Sequence, residues 1–68
     1  MEDVMILTRD INGKKTSHNI AWDKVAKYVY DMFDDEDEIL LVTVEGTCIY
    51  SALESNPITK DDLIGFFG

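Results

Sequence analysis

The sequence predicts a small α+β domain of order ββαββα, in which four strands form a mostly antiparallel sheet with two helices packed on it. Three observations carry that prediction. Asn12-Gly13 stands between two strand-like runs, and both residues tolerate the positive φ of a tight hairpin turn. Residues 22–33, WDKVAKYVYDMF, repeat apolar side chains at helical spacing. Residues 39–44, ILLVTV, form a near-continuous apolar run rich in β-branched side chains, followed by Glu45-Gly46 and a second strand-like run.

The first hairpin covers residues 4–20. A two-residue turn at Asn12-Gly13 sets Ile11 opposite Lys14 and Asp10 opposite Lys15, a charge-complementary pair. It also sets Leu7 opposite His18 and Met5 opposite Ile20, so Met5, Leu7 and Ile20 share the expected core face. Val4 and Ile6 fall on the other face, which predicts a first strand covered on both sides. In the helix over 22–33, Trp22, Val25, Ala26, Val29, Met32 and Phe33 share one face, with Lys24, Lys27 and Asp31 on the other. An acidic linker, 34–38, follows. The second hairpin, 39–53, begins with the apolar run, whose pattern suits a central strand buried on both faces. In the last segment, Thr59 is an N-cap and Asp62 completes a box-like pattern with it. Ile58 before the cap is placed to pack on Leu63, and a short helix over 60–67 is expected, weakened by Gly65 by about 1 kcal/mol relative to alanine. The two halves share a pattern, ILTRD against LVTVE, that duplication and coincidence explain equally well.

A chain of 68 residues makes one domain. It buries only about 60% of its unfolded surface, so it needs a staple or a partner. The single cysteine, Cys48, excludes an internal disulfide, and homo-oligomerisation, first as a dimer, is the expected remedy. The net charge of −8 is lopsided. Residues 1–30 carry five bases against four acids, and residues 31–68 carry ten acids against Lys60 alone. Such a field repels phosphate and anionic lipid, so neither direct nucleic-acid nor membrane binding is expected. The acidic opening, MEDVMILTRD, lacks the basic region of a secretory signal, and with the lone cysteine it leads to the expectation of a cytoplasmic protein.

The stretch DMFDDEDE, residues 31–38, contains six acids among eight residues. A solvated charge run explains it in part. Against that, it follows the C-terminus of a helix, where the macrodipole disfavours each anion by about 0.3–1 kcal/mol. Folding alone would not select six acids there. Calcium fits poorly, because the glycine and the terminal glutamate of an EF-hand loop are replaced by Glu36 and Val42. His18 and Cys48 lack the third group of a nucleophilic constellation, and Cys48 is expected to be a small buried hydrophobe, with His18 at the sheet margin. Asp61 and Asp62 are explained by the dipole of a helix first turn. Of the adjacent Phe66 and Phe67, one is expected to pack inward and the other to offer an oligomer contact.

These readings converge on a small acidic, non-enzymatic interaction module. Its acidic second half, through Asp34, Asp35, Glu36, Asp37 and Glu38 joined by Glu54, is expected to engage a basic partner protein, with no cofactor and no metal. The alternatives are a carboxylate-based divalent-metal or enzymatic site at an oligomer interface, and a purely structural assembly subunit. In size, acidity and compactness the chain resembles small proteins of bacterial viruses and their prophages. That likeness of composition assigns no residue a role.

Overall fold

A computed structural model describes residues 3–68. Strands β1 (Asp3–Arg9), β2 (Lys15–Ala21), β3 (Glu38–Val44) and β4 (Thr47–Ser51) form one antiparallel sheet in the order β2-β1-β3-β4. A 3₁₀ turn at Trp22–Lys24 leads into α1 (Val25–Met32), and α2 (Lys60–Phe67) completes the predicted ββαββα order. The first strand of each hairpin is central and the second lies at an edge, so the two halves are arranged symmetrically about the β1–β3 seam.

The first hairpin departs from the predicted register by one residue. Arg9 pairs with Lys15, and Ile6 pairs with His18. The cause is Asp10. Its carboxylate accepts the backbone N–H groups of Asn12 and Lys14, each at 2.9 Å, while its carbonyl accepts Gly13 N–H at 2.9 Å. This builds a type I turn closed by Gly13 at φ 85°, a three-residue loop rather than a two-residue one. One added residue turns every side chain of the strand over. The core face of β1 is therefore Val4, Ile6 and Thr8, all buried, and not Met5 and Leu7. The proposed Asp10–Lys15 pair is replaced by this capping role. The second hairpin does turn on two residues, with Glu45 at φ 51° and Gly46 at φ 81°. The cost of a positive φ at Glu45 is offset by two bonds to β1: its N–H donates to Asp3 O, and its carboxylate accepts Asp3 N–H, both at 2.9 Å.

Both helices pack on the same face of the sheet. Val25 and Val29 from α1 and Leu63 and Phe67 from α2 join Val4, Ile6, Ile20, Ile39, Val42 and Tyr50 in one core. Phe33 joins them as well, because its backbone becomes extended at φ −91°, ψ 137°, and swings its ring inward beside His18. Met32, expected in the core, is exposed instead, at the last helical residue before this change of direction. Tyr28 is half-buried against the core, and its hydroxyl meets His18. In α2 the capping box is complete: Asp62 N–H donates to Thr59 Oγ1 at 3.3 Å and Thr59 N–H to Asp62 Oδ2 at 2.9 Å.

The other face of the sheet carries no helix. There β1 presents Asp3, Met5, Leu7 and Arg9, and β3 adds Leu41 opposite Leu7. A bulge at Leu40 in β3 and another at Ile49 in β4 leave these residues without an opposite partner. The burial on both faces expected for the central strands is thus met on one face only. Cys48 pairs with Thr43, and it is exposed and not the buried hydrophobe expected. The bulge at Ile49 follows it, and Tyr50 returns to the core opposite Val42.

Candidate functional site

The acidic linker is a structured turn. Asp37 N–H donates to Asp34 O, and Asp34 N–H donates to Asp37 Oδ2, both at 3.1 Å. Two of the acids have basic neighbours: the Arg9 guanidinium pairs with the Glu38 carboxylate, and Lys60 Nζ stands 3.5 Å from Asp35 Oδ1. Asp34, Asp35, Glu36 and Glu38 are exposed, and Asp37 is half-buried. Asp37 thus spends its carboxylate on the turn, while Asp34, Asp35 and Glu36 present theirs to solvent.

Lys60 answers part of the dipole objection raised by the sequence. Its ammonium donates to the Phe33 carbonyl at 3.1 Å, at the C-terminal end of α1, so a cation stands where the macrodipole favours one. The same group lies 5.9 Å from the centre of the Tyr30 ring. Twenty-seven residues separate Lys60 from Phe33, and no local pattern relates them.

Glu54 belongs to the same end of the sheet. Ala52 N–H donates to Leu40 O at 3.0 Å, so the turn carrying Glu54 leaves β4 where the acidic turn enters β3. The six predicted acidic residues therefore lie at one end of the molecule. The two phenylalanines separate: Phe67 is buried in the core against Trp22, and Phe66 is 60% exposed. Phe66 borders an apolar cavity of about 280 Å³ between β4 and α2, together with Ile49, Ile58 and Leu63. Tyr50 also borders it; the Tyr50 hydroxyl is buried and has no hydrogen-bond partner among the described residues.

His18 lies on the edge strand, as expected, but faces the helices. Its ring nitrogens meet Thr8 Oγ1 and the Tyr28 hydroxyl, each at 3.1 Å, and its ring lies 4.8 Å from that of Phe33. Burial holds its pKa below the ordinary 6.5, and the nearby Asp37 carboxylate opposes that shift in part. The unfolded chain imposes no such burial. The stability this histidine contributes is therefore fully present above the unfolded value and is lost as pH falls through the lower folded value. Between about pH 7 and about pH 5 the wild type should lose more stability than His18→Gln, as read from urea midpoints at the two pH values. Asp37→Asn should lower the His18 titration midpoint further in NMR spectra, since it removes the group that raises it.

His18 and Cys48 sit on opposite edges of the sheet, separated by at least three strand spacings of about 4.8 Å each, so they do not form a nucleophile and base. Among the described residues no three His, Cys, Asp or Glu side chains are grouped to hold a metal ion. No helix is long and apolar enough to cross a membrane. Comparison with protein-family models, with curated proteins and with solved structures finds no match to this chain.

Proposed function

We propose that the protein is a non-enzymatic interaction module that engages a basic protein partner through the acidic end of its sheet. The observation that carries this reading is the division of labour within the turn. Asp37 and Glu38 are held by Asp34 N–H and Arg9, and Asp35, though exposed, lies 3.5 Å from Lys60 Nζ, whereas among the described residues Asp34 and Glu36 face solvent unpaired on a backbone already fixed in place. A turn whose backbone is already ordered loses little backbone entropy when a cationic surface meets the carboxylates it carries. It also accelerates encounter with that surface at low ionic strength. Glu54 extends the array on the neighbouring turn. The cytosol is the compartment that suits the exposed thiol of Cys48, which would be prone to oxidation elsewhere.

The test follows from the same division. A variant carrying Asp34→Asn and Glu36→Gln removes these two unpaired solvent-facing charges and leaves the turn's internal bonds and the Lys60–Asp35 pair intact. Wild type and variant would each be immobilised and exposed to bacterial lysate at low and at high salt. A basic protein should be retained by the wild type at low salt, released at high salt, and bound at least tenfold more weakly by the variant. Equal retention by both proteins, or binding indifferent to salt, would remove the acidic turn from consideration.

A further inference from the structure

Thr8 is the buried polar residue of β1, at 4% exposure, and among the described residues its Oγ1 bonds His18 Nε2 alone, at 3.1 Å. The other ring nitrogen, Nδ1, meets the Tyr28 hydroxyl, also at 3.1 Å. In a neutral imidazole one nitrogen donates and the other accepts, whereas a hydroxyl does either. Thr8 chooses between the two tautomers. Were Nε2–H to donate to Thr8, the Thr8 hydrogen would be buried without an acceptor, which costs more than an ordinary bond contributes. Thr8 O–H therefore donates to Nε2, and Nδ1–H donates to the Tyr28 hydroxyl. Tyr28 is half-buried, so its own hydrogen can turn toward water.

A proton added to Nε2 ends this arrangement. Both nitrogens then donate, the Thr8 hydrogen loses its acceptor, and a cation stands where the fold has removed part of its water. The charged groups of the surrounding elements do not hold that cation in place. Lys24, Lys27 and Asp31 of α1 are exposed, Arg9 of β1 and Lys15 of β2 lie on the other face of the sheet, and Lys60 of α2 is bound to the Phe33 carbonyl. Asp37 attracts the imidazolium, but its carboxylate already accepts Asp34 N–H, so drawing it toward the ring undoes the acidic turn. Expulsion of the ring reaches the same turn through Phe33. There the chain leaves α1, and the Phe33 ring lies against two others, His18 at 4.8 Å and Tyr28 at 6.0 Å. The His18–Tyr28 bond joins those two rings, and Asp34 follows Phe33 directly.

We propose that His18 is a proton-operated latch on the acidic turn: seated neutral between Thr8 and Tyr28 it keeps Phe33 and the carboxylates after it in order, and on protonation it releases them. The latch gives the docking array proposed above its regulation, and its use rests on that reading: the neutral state presents the array ordered, and mild acid loosens it. The sense is fixed by the geometry. The ordered state is complete while the ring is neutral and is lost as pH falls through the value at which the folded protein takes up the proton. The opening is local, because Val4, Ile6 and Val42 lie in a core that needs no bond from His18.

NMR of the protein alone tests this. Ring ¹⁵N spectra at about pH 7 should show His18 protonated on Nδ1 and bare on Nε2, and Thr8→Val, which removes the donor, should show both tautomers. Exchange protection at Asp34 and Asp37 N–H, taken relative to the free-peptide rate at each pH, should fall at least tenfold between about pH 7 and about pH 5. The fall should follow the His18 titration, while Val4, Ile6 and Val42 keep their protection. In His18→Gln, which keeps a side chain able to donate and accept but takes up no proton, the step should be absent. A ring protonated on Nε2 at neutral pH would overturn the proposal, as would a turn equally protected on both sides of the His18 midpoint. The same fall in His18→Gln would also overturn it, by assigning the effect to the carboxylates, and so would parallel loss at the core amides, by making the opening global. No partner enters these measurements, so failure of the latch leaves retention of a basic protein at neutral pH untouched, and failure of that retention leaves the titration to be read on its own.

Discussion

Ile6→Ala is expected to cost about 2–5 kcal/mol of stability, whereas Leu7→Ala in dilute solution is expected to cost about 1 kcal/mol. The two positions are adjacent on a central strand, and their side chains are isomers that differ only in where the chain branches. Ile6 is fully buried between the sheet and the helices, in the same core as Val25 and Val29. Removing its three outer carbons leaves a cavity as well as a lost transfer term, together about 2–5 kcal/mol. A domain of this length has a total stability of only about 3–10 kcal/mol, so the loss consumes much or all of it. Leu7 lies on the uncovered face and surrenders only half-exposed area. Urea unfolding of the two variants, monitored by circular dichroism, would read the difference. Equal losses would mean that the first hairpin keeps a different register in solution.

That pair of positions also marks the limit of what the sequence disclosed. Val4 and Ile6 alternate with Met5 and Leu7, and all four are apolar, so hydrophobic pattern cannot choose the inward face. The choice falls to the turn. Asn12-Gly13 favours two residues by itself, but Asp10 offers a carboxylate to two backbone N–H groups and so selects three. Glu45-Gly46, a weaker turn signal, forms the two-residue turn because its backbone and side chain are tied to Asp3. Elements governed by local chemistry were legible, as the Thr59–Asp62 box and the helix over 60–67 show. The capping of α1 by Lys60 was not, since it depends on two helices meeting in three dimensions. The acidic residues were visible as a run. Their sorting into turn-forming Asp37, Arg9-paired Glu38, Lys60-paired Asp35 and solvent-facing Asp34 and Glu36 required the fold.

The second large effect is expected at the end of α2. Phe67→Ala should cost about 3–5 kcal/mol, and Phe66→Ala about 1 kcal/mol or less. The residues are neighbours in sequence, and one helical step of about 100° places them differently. Phe67 is 7% exposed and packs edge-on to Trp22, with ring centres 4.7 Å apart. Phe66 stands 6.0 Å from the same indole and keeps most of its surface in water. Trp22 precedes α1 and Phe67 ends α2, so this contact ties the two helices together as Lys60 does near the other end of α1. Loss of Phe67 should therefore loosen α2 and weaken the Lys60 bond to Phe33 O, leaving the acidic turn less ordered. Hydrogen exchange would register this as faster exchange at Phe33 and Asp37 N–H in Phe67→Ala, but not in Phe66→Ala. Unchanged protection at those amides in a folded Phe67→Ala protein would show that the turn is held by its own bonds alone. In that case the ordered array of carboxylates would be independent of the helix that supplies its one lysine.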